Sequence, residues 1–398
     1  MRRGVTTMKS VKELHLENRK VLVRVDFNVP MDERGVITDD ARMREALPTL
    51  EYIKKQNGKL IICSHRGRPK GEKNIEFSLA PVAAHLETML GCPVQMSSDC
   101  IGAGVEEQAE KLGPGEVLML ENLRFHKGET ENDAAFSAAL AGLAEVYVND
   151  AFAVSHRAHA SVSGVPERIE SKGAGFLLQK ELDYFNQAMA DPVRPLAAIV
   201  GGAKVSSKLG ALENMLSRVD KMLIGGAMAN TFLKALGCSV GASLVENDLL
   251  DSARNLLQQA EEQGVKLFLP VDLVVAESFS NDAVAKQVTC LEIPDGWMAL
   301  DIGPATSTYF QEALADVRTI VWNGPMGAFE MDSFARGTMA LCHAVASSHA
   351  LSITGGGDSN AAVKKAGVSE SIGYMSTGGG AFLQLMEGKT LPGVEVLN

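Results

Sequence analysis

Arginine and histidine gather in the first part of the chain. Asp26, Asn28, Arg42, His65, Arg68, Arg124, His156 and Arg157 stand at or just after short apolar runs, and 12 arginines lie in residues 1–170 against 5 in residues 171–398. A guanidinium grips phosphate or carboxylate with a planar fork. The set therefore suits a small, multiply charged anion, with Asp26 and Asn28 placed to meet hydroxyl groups. Singly, each of these residues is as readily a surface charge or a helix cap. Their recurrence after one strand-like run after another is what points to a site.

The second part offers glycine and lysine instead. Gly201-Gly-Ala-Lys-Val-Ser-Ser-Lys208 combines exposed backbone N–H groups with two lysines four residues apart, which a following helix would carry on one face. That suits a polyphosphate, although the spacing is not that of a P-loop. Gly355-Gly-Gly-Asp-Ser359 puts a carboxylate at a helix start that otherwise favours phosphate. A divalent cation bridging the two resolves the conflict, so Asp358 is the candidate Mg²⁺ ligand; an ordinary capping aspartate is the alternative. Thr377-Gly-Gly-Gly-Ala381 opens another helix with free N–H groups. Gly102-Ala-Gly104 resembles a dinucleotide loop, but Glu107 stands where a third glycine belongs.

What must position these residues is a repeated strand–helix unit. Apolar runs at 21–25, 60–63, 117–120 and 146–148, then at 196–200, 222–224, 265–269, 298–302, 319–322 and 350–353, alternate with amphipathic segments such as 78–90, 133–143 and 246–262. That alternation predicts parallel sheets covered by helices. Ten strands and 398 residues predict two α/β domains, divided near the helical segment 176–189, which Asp191-Pro-Val-Arg-Pro195 ends. Ligands of open parallel sheets lie outside the carboxyl ends of the strands. The chemistry falls there in both halves, so two ligands are expected, one per domain.

Composition narrows the classes. The net charge of −11 argues against nucleic-acid binding, and no apolar stretch is long enough to span a membrane. Residues 1–10 have no apolar segment behind them, so no secretory signal is expected. The six cysteines have neither C-x-x-C spacing nor a Cys/His pattern of a zinc site, and reduced thiols in the cytoplasm are expected.

Taken together, the motifs resemble those of phosphoglycerate kinases from about residue 8 to residue 397. They are Arg24-Val-Asp-Phe-Asn-Val-Pro30, Asp39-Asp-Ala-Arg42, Ser64-His-x-Gly-Arg-Pro69, Glu121-Asn-Leu-Arg-Phe125, Asp150-Ala-Phe152 and His156-Arg157. Further along come Gly201-Gly-Ala-Lys-Val-Ser206, Gly225-Gly-Ala-Met228, Trp322-Asn-Gly-Pro325, Phe329-Glu330, Gly355-Gly-Gly-Asp358 and Thr377-Gly-Gly-Gly380. The resemblance implies an α/β fold of two Rossmann-like domains, each a parallel sheet flanked by helices, joined by an interdomain helix. The divisions it implies are a glycerate-binding domain (1–174), the helix (175–190), a nucleotide-binding domain (191–375) and a segment returning to the first domain (376–398).

It also implies reversible phosphoryl transfer from 1,3-bisphosphoglycerate to MgADP, giving 3-phosphoglycerate and ATP, directly and after domain closure. The implied glycerate site is Asp26, Phe27, Asn28, Arg42, His65, Arg66, Gly67, Arg68, Arg124 and Arg157. The implied nucleotide site is Lys208, Glu330, Gly356, Gly357, Asp358 and Ser359, with Mg²⁺ on Asp358. Arg42, Lys204 and Gly379, with its neighbouring N–H groups, would surround the group in transfer. The expected enzyme is a cytoplasmic monomer with no nucleic-acid or membrane partner. Arg66, Ala305 and Ala328 depart from the usual Leu, Lys and Val without removing a catalytic group, and residues 1–7 precede the resemblance. A non-catalytic two-lobed binding protein would have no use for Lys204 beside a metal carboxylate, and a dinucleotide dehydrogenase would need the glycine fingerprint that residues 102–107 lack.

Overall fold

The computed structural model describes residues 8–398; residues 1–7, which precede the family resemblance, lie outside the described residues. The chain divides into two compact units. One runs to Leu182 and takes in Thr390–Asn398; the other is Asp183–Lys389.

The first unit is built on a six-stranded sheet of β1 (Lys20–Arg24), β2 (Lys59–Cys63), β3 (Val94–Met96), β4 (Val117–Met119), β5 (Val146–Asn149) and β6 (Ser171–Ala174). The order is β3-β4-β2-β1-β5-β6, and every pair is parallel. Val21, Leu22 and Val23, like Leu60, Ile61 and Ile62, are fully buried. Strands covered on both faces need such continuous apolar runs, and the intervening helices supply the cover. The order reverses direction at β1 and β5, and in such sheets the ligand site is expected beyond the strand ends at that point.

The second unit repeats the plan. After β7 (Leu196–Val200), β8 (Lys221–Ile224) and β9 (Lys266–Phe268) the chain forms β10 (Asp272–Ala276), β11 (Ala285–Thr289) and β12 (Met298–Ile302), then β13 (Thr319–Asn323), β14 (Leu351–Thr354) and β15 (Tyr374–Met375). The parallel sheet has the order β15-β14-β13-β7-β8-β9, with its reversal between β7 and β13.

The run 298–302 corrects the sequence expectation. Its strand, β12, belongs to a separate sheet, β11-β10-β12, and pairs antiparallel with β10. Eight residues on either side of β11 (277–284 and 290–297) are too few for a crossover helix, so the chain can only fold back on itself.

The helix Phe176–Met189 straddles the division between the units. Its first N–H groups are held within the first unit. Thr49 Oγ1 accepts from Phe176 N at 2.9 Å, and the buried Asp150 Oδ1 accepts from Leu177 N and Leu178 N at 2.9 and 3.1 Å. Of the segment 376–398 expected to return, residues 390–398 pack with the first unit, where Asn149 Nδ2 donates to Gly393 O at 2.8 Å. Residues 376–389 group with the second unit. β15 pairs there with β14, and the helix Gly379–Met386 follows immediately.

Candidate active site

In the first unit the crevice is a cradle of cations and amides. Asp26 lies just beyond β1, and its Oδ2 accepts from Arg42 Nη1 at 2.9 Å. Arg42 sits in the first turn of the helix Ala41–Lys55 and also donates to Asn28 O at 3.2 Å. Asn28 Oδ1 accepts from Gly67 N at 2.9 Å, and Gly67 O accepts from Arg124 Nη1 at 2.7 Å. Gly67 has φ +59, and a Cβ there would meet the Phe77 ring at 2.3 Å, so only glycine lets this turn tie two site residues together.

His65 is buried among arginines. Burial, followed by Arg24, Arg124, Arg157 and Arg42, holds its imidazole well below the usual range, so it is neutral. Arg124 is itself buried and pushed down to about 10 by the same enclosure. Its Nε is a buried donor with no protein partner, and His159 Nδ1 is likewise unpartnered. Buried polar groups are nearly always bonded. An unpartnered guanidinium nitrogen among several cations suits an anion, whereas His159 Nδ1 lies 3.8 Å from the buried Glu129 Oε1.

Not every nominated residue turns into the cradle. The Phe27 side chain lies in the hydrophobic core, and its N–H is engaged by Ser64 Oγ at 2.9 Å. Arg66 reaches instead for the carbonyls of Glu76 and Ser78, which end the short helical turn Ile75–Phe77. A cation satisfies such terminal carbonyls well, so its charge is committed to the loop. Arg68 is exposed. Sequence reasoning passed over Arg24, Glu129 and Ser161, which are buried beneath the cradle. The signal was an arginine ending an otherwise apolar strand.

In the second unit, Lys204 and Lys208 do not share a helix face. The helix begins only at Leu209, so both belong to the loop after β7, Lys208 as its cap residue. The loop turns through Gly202 at φ +117, a conformation that favours glycine. Lys208 Nζ donates to Gly201 O at 2.5 Å and Asn323 O at 2.9 Å, the carbonyls at the ends of β7 and β13. Burial pushes this amine down to about 8, with Asp358 acting in the opposite sense. Lys204 is exposed.

Two glycine-rich helix starts abut nearby. The helix Gly357–Lys365 is preceded by Gly356 at φ +100, and the helix Gly379–Met386 by Gly378; neither has a side-chain cap. A Cβ on Gly379 would lie 2.8 Å from Gly356 Cα, so the two N-termini can meet only as glycine. Converging helix starts present unbonded N–H groups and positive dipole ends, a setting for phosphate. Asp358 stands exposed in one of these first turns without bonding the turn's N–H groups, which removes the capping alternative. Ser359 is buried, accepting from Gly324 N at 2.6 Å and donating to Gly355 O at 3.0 Å, so its hydroxyl fastens two loops together.

Beside these loops lies a largely apolar cavity of about 370 Å³, lined by Gly202, Ala227, Leu273, Phe279, Met298 and Pro325, with Glu330 and Asp358 among its polar members. It also reaches Asp301, whose carboxyl burial pushes up to about 7 and which accepts from Gly337 N at 2.7 Å and Ile302 N at 2.9 Å.

Among the described residues, one cluster elsewhere has metal-ligand types. Asp99, Cys100 and His126 bring ligand atoms within 4.8 Å of one another. Those atoms are already engaged: His126 Nε2 pairs with Asp99 Oδ1 at 2.5 Å, and Cys100 Sγ donates to the backbone carbonyl of Glu121 at 3.0 Å. Burial holds the thiol well above its usual range, away from the thiolate a zinc ion needs.

Comparison with known proteins gives one answer. The family model described as phosphoglycerate kinase matches residues 11–389. The phosphoglycerate kinase of Desulfotalea psychrophila is 68% identical over 390 residues, covering 98% of this chain and 100% of that protein. That of Geotalea uraniireducens is 56% identical over 382 residues, covering 96% of each. Among solved structures, phosphoglycerate kinase from Coxiella burnetii superposes with a TM-score of 0.90 at 43% identity, covering 98% of this chain and 99% of that one. The enzyme from Pyrococcus horikoshii gives 0.83 at 33% identity over 98% of both chains.

Proposed function

The chain belongs to the phosphoglycerate kinase family, and we propose that its two crevices divide the reactants of that reaction, the glycerate in the first unit and the nucleotide in the second. The activity is phosphoryl transfer between 1,3-bisphosphoglycerate and ADP, yielding 3-phosphoglycerate and ATP. The observation that carries the division is the contrast in donors. One unit offers buried guanidinium and imidazole groups with unpartnered atoms; the other offers abutting glycine-rich helix starts beside an apolar slot.

In this reading Arg124, Arg157, neutral His65 and, from the exposed rim, Arg68 hold the 3-phosphate end, while Asp26 and Asn28 meet the hydroxyl side. Glu330 meets the nucleotide sugar and Lys208 its phosphates, with the N–H groups of Gly356, Gly357 and Ser359 around them. Asp358 holds the Mg²⁺ that accompanies the nucleotide, consistent with an exposed carboxylate that leaves its own helix start uncapped. When bound, that ion neutralises phosphate charge. A terminal oxygen of ADP attacks the acyl phosphorus as the bond to the carboxylate breaks. Charge builds on the transferring oxygens, and Arg42, Lys204 and the N–H of Gly379 stabilise it. No side chain needs to act as a nucleophile, because phosphoryl transfer asks for positioning and charge. Cytoplasmic placement and action as a monomer go with the reading. Among the described residues, no helix is long and apolar enough to cross a membrane.

A coupled assay for ATP formation tests it. Lys204→Ala should lower kcat about 10²-fold or more while leaving glycerate affinity intact. Lys204 is exposed, so the variant should fold normally. Near-normal kcat would remove it from the mechanism.

A further inference from the structure

A buried polar chain runs beneath the cradle. Arg24, 1% exposed, ends β1. Its Nε donates to Ser161 Oγ at 2.8 Å; Ser161 Oγ donates in turn to Glu129 Oε1 at 2.7 Å, and Ser161 N to Glu129 Oε2 at 2.9 Å. Glu129 is fully buried, and Tyr147 Oη completes the set by donating to Ser161 O at 2.7 Å. A buried carboxylate and guanidinium are tolerated only when bonded in this way. The bonds leave Arg24 little freedom.

The other end of Arg24 faces the site. Nη1 donates to Val25 O, and Nη2 lies 3.1 Å from His65 Nδ1. A guanidinium has donors and no acceptor, so Nδ1 must be the acceptor. A neutral imidazole accepting at Nδ1 carries its proton on Nε2. The charged groups facing His65 are Arg24 from β1, Arg42 from the helix after it, Arg124 from the turn Leu123–Phe125, Arg157 from beyond β5, and Asp26. Asp26 Oδ1 is 3.7 Å from Nδ1, too far to take a hydrogen bond from it.

Resting on the glycerate reading of this unit, we propose that Arg24, anchored by Ser161 and Glu129, is a positioning residue that fixes His65 in the Nε2–H form, so that it meets the anion as a neutral donor. Arg24 touches neither reacting group; it acts through His65. The arrangement gives the site a directional donor whose state does not change with pH over the working range.

Histidine-selective ¹⁵N spectra of the full chain test this, with His65 assigned by the loss of its signals in His65→Gln. The expected wild-type result is an unprotonated Nδ1 and no titration between about pH 5.5 and 8. Arg24→Met should give mixed tautomers and a titration within that window, with the tautomer mixture alone weakening 3-phosphoglycerate binding about twofold at alkaline pH, as when about half the neutral rings carry the proton on Nδ1. Ser161→Ala leaves the Arg24 charge in place but cuts its anchor, and should give a smaller change of the same kind. A wild-type Nδ1 that carries a proton overturns the proposal. So does an unaltered His65 in Arg24→Met, or in Ser161→Ala should the first variant not fold. The glycerate reading fails separately, if His65→Gln binds 3-phosphoglycerate as tightly as the wild type.

Discussion

Lys208 offers the sharpest test of the nucleotide site, because its environment ties binding to pH. Its amine is enclosed by the carbonyls of Gly201 and Asn323, and burial lowers it from the usual 10.5 to about 8. Phosphates placed on the glycine-rich loops would restore the charged form. Binding would then take up a proton wherever the free enzyme has lost one. The sign follows: affinity is full below about pH 8 and falls as pH rises above it, by at most tenfold per pH unit. If the bound amine regains its ordinary 10.5, the span from 8 limits the total loss to about 300-fold, or about 3 kcal/mol. Lys208→Met conserves length and apolar stem while removing the charge. It should bind nucleotide more weakly at pH 7 and show no further loss up to about pH 9.5. Calorimetry in two buffers of different ionisation enthalpy should register close to one proton taken up near pH 9 by the wild type, and none by the variant. Equal pH dependence in both proteins would refute the reasoning, since the titrating group would then lie elsewhere.

Other expectations follow from the same geometry. Arg157→Ala and Arg68→Ala should each weaken 3-phosphoglycerate binding about tenfold or more by calorimetry; because Arg68 is exposed, its loss should leave Tm unchanged, and unchanged affinity in both would place the anion elsewhere. Asp150, raised by burial to about 7, holds its proton more tightly folded than unfolded, so its contribution is present below about pH 4 and is lost as pH climbs to 7, by up to about 4 kcal/mol. Asp150→Asn should therefore gain urea stability relative to wild type between pH 5 and 7.5, and a difference that does not change with pH would refute the assignment. Direct transfer requires the two ligands to meet, so small-angle scattering should show the radius of gyration falling when 3-phosphoglycerate and a Mg-nucleotide are both added; an unchanged radius would argue for one preformed site.

What the sequence disclosed and what it hid have separate physical causes. Val21, Val23, Leu60 and Ile62 announce buried parallel strands because strands covered on both faces favour continuous apolar runs. β15 carries no such mark because it is only two residues long, and β11, with exposed alanine, lysine and glutamine, carries none because its edge position demands little burial. The run Met298–Ile302 is apolar enough to pass for a parallel strand, and only the shortness of its flanking connections decides its direction. At the sites, Asp26, Asn28, His65 and Arg124 lie just beyond strand ends, where a sheet exposes its chain, while Arg42 comes from the first turn of the helix Ala41–Lys55 and reaches Asp26 from there. Spacing could not say where a long side chain goes. Arg66 bends to the carbonyls of a neighbouring turn, and Lys208 lies back onto two strand ends, because each satisfies backbone carbonyls that the fold, not the local sequence, brings within reach. Arg24 is the converse case. Its charge is kept in the interior by Ser161 and Glu129, 137 and 105 positions further along, and no local pattern can report a partner that only the fold brings near. Residues that touch a ligand reveal themselves by being the wrong type for a turn. Residues that orient those ligand contacts are hidden, because their own partners are remote in sequence and satisfied in the core.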